Sequence, residues 1–167
     1  MLPLPALAAV LLLAAGCGPP PNRTTVTGPH YSFNAPGSFS SVGASQRDFP
    51  EVEDRSTLTE LRDSNGSEIY ATIRRPSPGT SLAEMLRDQR MVARQGLSEP
   101  IPVSIAGRPG VRIDGLRPTG ADGAAIGSSS YALRDGGNTY VIGCRWSSDP
   151  GGGREACDQA VRSFEPN

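Results

Sequence analysis

Short segments in which apolar and polar residues alternate fill most of the chain beyond residue 23, and glycine or proline separates one segment from the next. An alternation with a period of two predicts half-buried β-strands. In one such segment Ile69, Ala71 and Ile73 share a face. Residues 39–54 are polar and serine-rich, and their pattern assigns them to no element. The predicted strands cover residues 24–27, 31–33, 56–62, 68–74, 102–105, 111–116, 125–134 and 139–146.

Turn residues join consecutive strands into hairpins. Asn65-Gly66 stands between two of the predicted strands, and this dipeptide accepts the positive φ angles that a tight turn requires. Glycine-containing stretches at residues 106–110 and 135–138 connect two later pairs of strands. Short connections of this kind predict antiparallel neighbours.

Two segments have the period of an amphipathic helix. The first, residues 81–95, begins with a capping box between Ser81 and Glu84, and Gly96 follows as a C-cap. The second, residues 154–164, follows a glycine-rich connection. The core-facing residues of the first helix are Leu82, Met85, Leu86, Gln89 and Ala93, with Arg87, Arg90 and Arg94 in water. The apolar stripe of the second consists of Cys157, Ala160, Val161 and Phe164.

This order of elements brings two of the three cysteines together. Cys144 lies on the strand face that it shares with Tyr140, Ile142 and Trp146, and Cys157 lies on the apolar stripe of the next helix. A short connection returns that helix over the sheet. The sequence therefore predicts a structural disulfide between Cys144 and Cys157. A catalytic or metal-binding pair would need a CxxC spacing or a nearby histidine.

The N-terminal segment has the size of a signal-peptide core. Residues 2–15 are almost wholly apolar, but they fall short of the roughly 20 residues that span a bilayer. The sequence Leu13-Ala14-Ala15-Gly16-Cys17 resembles a bacterial lipobox, although Ala14 stands where leucine is usual. The resemblance implies a signal peptide at residues 1–16, cut before Cys17, and a lipid on the Cys17 thiol. The alternative is an ordinary secretory signal with an incidental cysteine.

The residues after Cys17 predict a tether and one domain. Three consecutive prolines favour an extended conformation in residues 17–23. Residues 24–167 have the length of a single globular domain. If Cys144 and Cys157 pair, Cys17 is left to carry the lipid, and two or three acyl chains anchor a protein stably to a membrane.

Composition narrows the range of functions. The chain has no lysine, and its 16 arginines nearly balance 17 acidic residues. This near-zero net charge gives no electrostatic footprint for nucleic acid. A single histidine and three cysteines argue against a zinc site or a histidine-based catalytic group. We therefore predict no catalytic residues, no metal and no cofactor.

Four local features carry weaker chemical hypotheses. His30 is the histidine that a Ser-His-Asp set would need, but it stands in a turn without a Gly-x-Ser-x-Gly motif, which favours a structural role. The glycines at 151–153 precede a helix without a P-loop lysine, so a flexible connection is favoured over a phosphate nest. An aromatic pair, Tyr140 and Trp146, favours core packing over a pocket. An acidic group lacks the spacing of a calcium loop and is predicted to be solvated: Asp48, Glu51, Glu53 and Asp54.

Arginines provide one further hint of binding. Arg74 and Arg75 are adjacent, and three more arginines share the polar face of the first helix. Such groups are able to meet anionic lipids or envelope glycans. The alternative, which we favour at this stage, is a solvated face that Glu84 and Asp88 balance.

Four short motifs carry a family resemblance. They are YSFNAP at residues 31–36, VSIAGRP at 103–109, NTYVI at 138–142 and VRSF at 161–164. They resemble the PsbP-like superfamily and, within it, the LpqN-type lipoproteins of actinobacteria, over most of residues 24–165. The resemblance implies an α+β fold in which an antiparallel β-sheet of about six to eight strands is packed by helices. Extracytoplasmic sensor domains of actinobacterial serine/threonine kinases are also similar, but they usually carry an additional disulfide.

These observations predict a non-enzymatic, lipid-anchored protein at the extracytoplasmic face of the cell membrane. It would bind a partner protein or an amphiphilic ligand. The alternative is a sensor or accessory domain for a membrane transporter, kinase or secretion complex. A large apolar cavity would favour the ligand, and a filled core with an exposed apolar patch would favour a protein partner. A cleft with two carboxylates of raised pKa would favour a hydrolase of cell-wall material.

Overall fold

The computed structural model describes residues 22–42, 54–87, 96–118, 125–147 and 150–167. Ten strands and two α-helices form an α+β fold. The strands are β1 (Arg23–Thr27), β2 (Tyr31–Pro36), β3 (Ser40–Ser41), β4 (Thr59–Arg62), β5 (Glu68–Arg74), β6 (Ile101–Ile105), β7 (Arg108–Pro118), β8 (Ala125–Asp135), β9 (Asn138–Ser147) and β10 (Glu165–Pro166). The helices are α1 (Leu82–Arg87) and α2 (Pro150–Arg162), and a 3₁₀ turn covers Arg55–Thr57.

The strands form two antiparallel sheets. The larger sheet has seven strands in the order β3-β4-β5-β9-β8-β7-β6, which confirms the predicted antiparallel sheet of about six to eight strands. The smaller sheet has the order β1-β2-β10. The pairing of β5 with β9 places two hairpins that are distant in sequence side by side.

The two faces of the larger sheet carry separate hydrophobic clusters, because side chains alternate along each strand. The α1 face contains the smaller cluster, in which Met85 and Leu86 pack on Tyr70, Ile113, Ala132 and Val141. The opposite face contains the larger cluster, and both α2 and β2 contribute to it. The strand residues of this cluster include the predicted face Ile69, Ala71 and Ile73 of β5 and the face Tyr140, Ile142 and Cys144 of β9.

Tyr31 joins the smaller sheet to the larger one. Its side chain is fully buried, and its ring lies 5.6 Å from the ring of Phe164. Its hydroxyl group lies 2.7 Å from the carbonyl oxygen of Thr57 and 2.8 Å from that of Ala71 on β5. Burial raises the pKa of Tyr31 to about 12, and a hydrogen bond with Thr59 partly offsets that rise.

The disulfide between Cys144 and Cys157 connects β9 to α2, with the two Cα atoms 5.8 Å apart, as predicted. Beside it, Trp146 lies over Gly153 of α2. A Cβ atom on Gly153 would stand 2.4 Å from the Cβ atom of Trp146. Packing against the sheet therefore requires glycine at position 153 near the start of the helix, although glycine disfavours helices.

Two predicted segments differ from the structure here. The glycine-rich connection at 151–153 is the first part of α2, and Phe164 lies beyond the end of that helix at Arg162. The predicted strand 56–62 begins instead as the 3₁₀ turn, with the Asp54 side chain accepting a hydrogen bond from the backbone N–H of Ser56. This hydrogen bond gives a partner to a backbone N–H group that the short turn itself leaves unpaired.

The hairpin turns follow the sequence with two corrections. Gly136 and Gly137, and likewise Ala106 and Gly107, have positive φ and form two-residue turns, so residues 108–110 of the predicted connection belong to β7. Between β4 and β5 the loop covers the predicted residues, but only Gly66 has a positive φ, not Asn65. The Asp63 carboxylate shapes this loop by accepting hydrogen bonds from the backbone N–H groups of residues 65 and 67.

The capping box at the start of α1 is confirmed. The Ser81 hydroxyl accepts a hydrogen bond from the Glu84 backbone N–H, and the Glu84 carboxylate accepts one from the Ser81 N–H. The bonds that the Glu84 carboxylate accepts, from the Ser81 backbone N–H and from the Ser81 hydroxyl, hold the pKa of Glu84 below its usual range. The described part of this helix ends at Arg87, and residues 88–95 of the predicted helix lie outside the described residues.

Candidate functional site

A polar groove lies at one end of the larger sheet. It has a volume of about 630 Å³ and is lined by the end of β5, the segment after it, and the turn between β8 and β9. We call it the arginine groove, because Arg74, Arg75 and Arg134 line it. The remaining lining residues belong to the segments 76–79 and 135–139.

Strand register places two of these arginines on either side of one residue. Thr139 of β9 is opposite Arg74 of β5 and also opposite Arg134 of β8. The three side chains therefore point to the same face of the sheet, the face that carries α1. Two strand spacings separate the two arginines, which is roughly 10 Å between their backbones. Long guanidinium side chains at this separation are able to converge on a single group.

Among the described residues, the positive charge of the groove is balanced only in part: Arg75 is close enough to Asp54 to help lower the pKa of that carboxyl group. No carboxylate among the described residues forms a salt bridge with Arg74, Arg75 or Arg134. Asp135 lines the groove, but its carboxylate lies 2.8 Å from the Arg108 guanidinium. The Nη1 atom of Arg74 is buried and has no hydrogen-bond partner among the described residues. An unpaired buried donor of this kind costs free energy.

Arg134 also holds one wall of the groove in place. Its guanidinium donates a hydrogen bond to the carbonyl oxygen of Thr80, immediately before α1. The intervening segment, residues 76–79, therefore lies across the end of the sheet and closes that side of the groove.

A second cavity, of about 320 Å³, adjoins the arginine groove and shares Arg75 and Asn138 with it. It brings together His30, Asp54 and Ser56, the residue types of a Ser-His-Asp set. Their contacts differ from those of a catalytic triad, in which the histidine lies between serine and aspartate.

Here the serine contacts the carboxylate directly. The Ser56 hydroxyl donates to Asp54 Oδ1 at 2.5 Å, and the Ser56 backbone N–H donates to the same oxygen at 3.0 Å. These bonds hold the pKa of Asp54 below its usual range. A carboxylate whose pKa is lowered in this way is a weak base and is poorly suited to activate the serine hydroxyl. His30 is exposed in the turn between β1 and β2.

Two buried glutamates lie on the α1 face at the opposite end of the strands. The Glu60 and Glu68 side chains are 1 % and 6 % exposed, and the Arg62 guanidinium contacts both. A second arginine, Arg145, lies 2.7 Å from the other carboxylate oxygen of Glu68. Each carboxylate therefore has a cationic partner, an arrangement that serves to satisfy buried charge.

Several sequence-predicted sites lie elsewhere or outside the described residues. Arg87 pairs with Glu99 at 2.9 Å, away from the groove, and Tyr140 packs in the core 5.7 Å from the ring of Phe164. Within the described ranges, no three His, Cys, Asp or Glu side chains come together as a metal site would require. The sites outside the described residues are Cys17, Asp48, Glu51, Glu53, Arg90 and Arg94.

Sequence reasoning identified part of the groove and missed the rest. The adjacent Arg74 and Arg75 were singled out as a possible anion-binding pair. Arg134 is not identified in this way, because in the sequence it is an ordinary polar residue at the end of a predicted strand. The signal that would have found it is the turn at Gly136-Gly137, since its two-residue hairpin puts Arg134 opposite Thr139.

No protein-family model matches the chain, and no protein of curated function matches it in sequence. Among solved structures, cyanobacterial PsbP (CyanoP) from Synechocystis sp. PCC 6803 is 14 % identical, with a TM-score of 0.50 over 94 % of this chain and 99 % of that one. The Ran-binding protein Mog1p of Saccharomyces cerevisiae is 10 % identical, with a TM-score of 0.54 over 88 % of this chain and 96 % of that one.

LpqN of Mycobacterium tuberculosis, described as involved in cell envelope biogenesis, is 10 % identical, with a TM-score of 0.46 over 86 % of this chain and 89 % of that one. At that similarity the LpqN-type resemblance stays a prediction. A protein of Bacteroides thetaiotaomicron is 8 % identical, with a TM-score of 0.55 over 88 % of this chain. The chain spans about half the length of that protein, 48 %. The similarities to CyanoP and to Mog1p show that this α+β fold is PsbP-like.

Proposed function

We propose that this chain is a non-enzymatic, lipid-anchored protein of the cell envelope, which binds a partner protein or an amphiphilic ligand at the outer face of the membrane. The observation that carries the proposal is the pairing of the cysteines. The chain has three, and the disulfide joins Cys144 to Cys157. Cys17 is then the one cysteine left, and it stands directly after an apolar segment and small residues, where a lipoprotein carries its acyl chains.

The disulfide also supports a position outside the cytoplasm. Structural disulfides form and persist in oxidising compartments and are rare in the cytosol. On this proposal residues 1–16 are the signal peptide, residues 17–23 are the lipidated cysteine and its tether, and residues 24–167 are the folded domain. No helix among the described residues has the length and apolar character to span a membrane.

Two features support binding at the surface rather than catalysis. The serine, histidine and aspartate of the second cavity are arranged around a turn cap, as described above. The space between α2 and the larger sheet is filled by aromatic rings and the disulfide. A ligand or partner would therefore bind to a surface of the domain, and the arginine groove is the described surface feature with unbalanced charge.

Intact-mass analysis of the chain extracted from a bacterial envelope tests this proposal. We expect the mature chain to begin at Cys17, to carry added acyl mass on that residue, and to be lighter by two hydrogens for one disulfide. The Cys17→Ser variant should lose the acyl mass and leave the membrane fraction. The Gly16→Ala variant is the matched control, because it keeps a small residue before the cysteine and should still be processed. An unacylated Cys17 in the wild-type chain would refute the anchor.

A further inference from the structure

We propose that the arginine groove is a binding site for a phosphate group carried by a ligand other than the lipid of the anchoring membrane. Arg74 and Arg134 share one face of the sheet, three arginines line the groove, and the groove lies apart from the start of the folded chain.

The geometry favours phosphate over carboxylate. Arg74 and Arg134 approach from two strands on either side of Thr139, with Arg75 beside them. A carboxylate is satisfied by a single bidentate guanidinium, whereas a phosphate has at least three acceptor oxygens and up to two negative charges. A group between two guanidiniums therefore needs the larger number of acceptors. The volume of about 630 Å³ leaves room for the molecule that carries the phosphate.

The charge of the groove supplies the driving force. The acidic residue in its lining, Asp135, is already paired with Arg108. Three arginines therefore share one groove in which the acidic lining residue is engaged elsewhere. A bound anion would offset the like charges that the groove brings together.

The position of the groove separates it from the point where the chain enters the domain. The backbone oxygen of Asn22 accepts a hydrogen bond from Gly37, at the start of β1. The second cavity, next to the groove, is lined by Pro29 and His30, in the turn at the other end of β1. The five residues of β1 span about 17 Å between these two ends.

This separation identifies the source of the phosphate. If Cys17 is acylated, the membrane lies on the Asn22 side of the domain, within a tether of about 16 Å. The groove then lies near the end of β1 that is farther from the membrane attachment point, and we infer from this that its phosphate comes from another source. This last step rests on the proposed function, whereas the binding of phosphate does not.

An NMR titration of the mature chain tests the proposal. The protein is purified from membranes in an uncharged detergent, and inorganic phosphate is added at low ionic strength. We expect saturable shifts of the backbone amides of residues 134–139. The Arg75→Gln and Arg134→Gln variants should each bind about tenfold more weakly or worse. The matched control is Arg154→Gln, which removes an exposed arginine of α2 far from the groove and should leave the affinity unchanged.

The result that overturns the proposal is an absence of saturable shifts in residues 134–139, or an equal loss of affinity in Arg154→Gln. Arg75 is exposed, so its variant remains informative if Arg134→Gln loosens the segment before α1. A second arm uses nanodiscs of phosphatidylcholine with or without phosphatidylglycerol. Shifts of the groove residues caused by phosphatidylglycerol alone would overturn the stated source of the phosphate. The intact mass of the same preparation reports separately on the anchor.

Discussion

The disulfide between Cys144 and Cys157 offers the sharpest test of the energetics. It closes a loop across a sequence separation of 13 residues. For a loop of about this length the chain-entropy model gives a stabilisation of roughly 3 kcal/mol, because the cross-link restricts the unfolded chain. Reduction of the bond should therefore lower the free energy of unfolding by about 3 kcal/mol. In that model reduction acts on the unfolded state, because the folded chain keeps the two cysteines close together with or without the bond.

Substitution should cost more than reduction. Both cysteines are buried, with 2 % and 1 % of their surfaces exposed. In the double variant Cys144→Ala/Cys157→Ala each missing sulfur leaves a gap of about methyl size, which costs on the order of 1 kcal/mol. The expected total for the double variant is about 4 to 5 kcal/mol, and the difference from the reduced wild-type chain measures packing alone.

Urea unfolding followed by tryptophan fluorescence measures both quantities. The chain has a single tryptophan, Trp146, which packs against Gly127 of β8 and Gly153 of α2, so its emission reports on the junction between sheet and helix. All forms carry Cys17→Ser, which prevents thiol exchange and serves alone as the control with an intact disulfide. Equal midpoints for oxidised and reduced chains would refute the reasoning, since the cross-link would then contribute nothing through the unfolded state.

Further predictions concern the core and the pH dependence of stability. Gly143→Ala should destabilise the fold by about 3 kcal/mol in urea unfolding, because its Cβ atom would stand 1.9 Å from the ring of Tyr70. Gly152→Ala, in open space on α2, should instead stabilise it by about 0.5–1 kcal/mol. Tyr31→Phe should cost about 1–3 kcal/mol, since it leaves buried carbonyl oxygens without a donor; an unchanged melting temperature would contradict this. Burial raises the pKa of Tyr31 to about 12 from 10.0, so its contribution to stability is complete below pH 10 and is lost as the pH rises to about 12. Burial also raises the pKa of Tyr131, and tyrosinate absorbance during an alkaline titration of the lysine-free chain should show both tyrosines ionising late.

The long strands were predictable because their signals are local. Alternation and turn residues defined β5, β7, β8 and β9 to within a few residues. The two-residue strands β3 and β10 were not, because their pairing depends on distant partners. Glu165 of β10, for example, pairs with Ser32 of β2 near the other end of the domain. A two-residue segment has no period of its own from which to predict it.

Tertiary packing also overrode a local preference at the start of α2. Three consecutive glycines have the lowest helix propensity apart from proline, so a loop was the natural expectation. The structure places Gly153 against Trp146, where any Cβ atom would clash. The glycine is present because the helix must approach the sheet closely enough for Cys157 to reach Cys144. Gly153 has a low helix propensity and argues against a helix, but the packing of this helix on the sheet requires it.

The candidate site was only half predictable, because it depends on which strands are neighbours. Adjacent arginines can be recognised from a sequence alone. Arg134 comes near Arg74 only because β9 lies between β5 and β8. That order brings together hairpins separated by roughly a third of the chain. Alternation specifies which face a residue occupies, but it contains no information on which strand lies next to it.

The net charge of the chain also gives no indication of the arginine groove. The chain as a whole carries a charge of only −1, which argues against an electrostatic binding surface if charges are spread evenly. They are not, because several acidic residues are paired elsewhere: Glu60 and Glu68 with Arg62 and Arg145, and Asp135 with Arg108. None of these three carboxylates therefore forms a salt bridge with the arginines of the groove. Since structures with this fold include both a Ran-binding protein and CyanoP, the fold alone leaves the partner open, and on our proposal the arginine groove supplies the specificity that the fold does not.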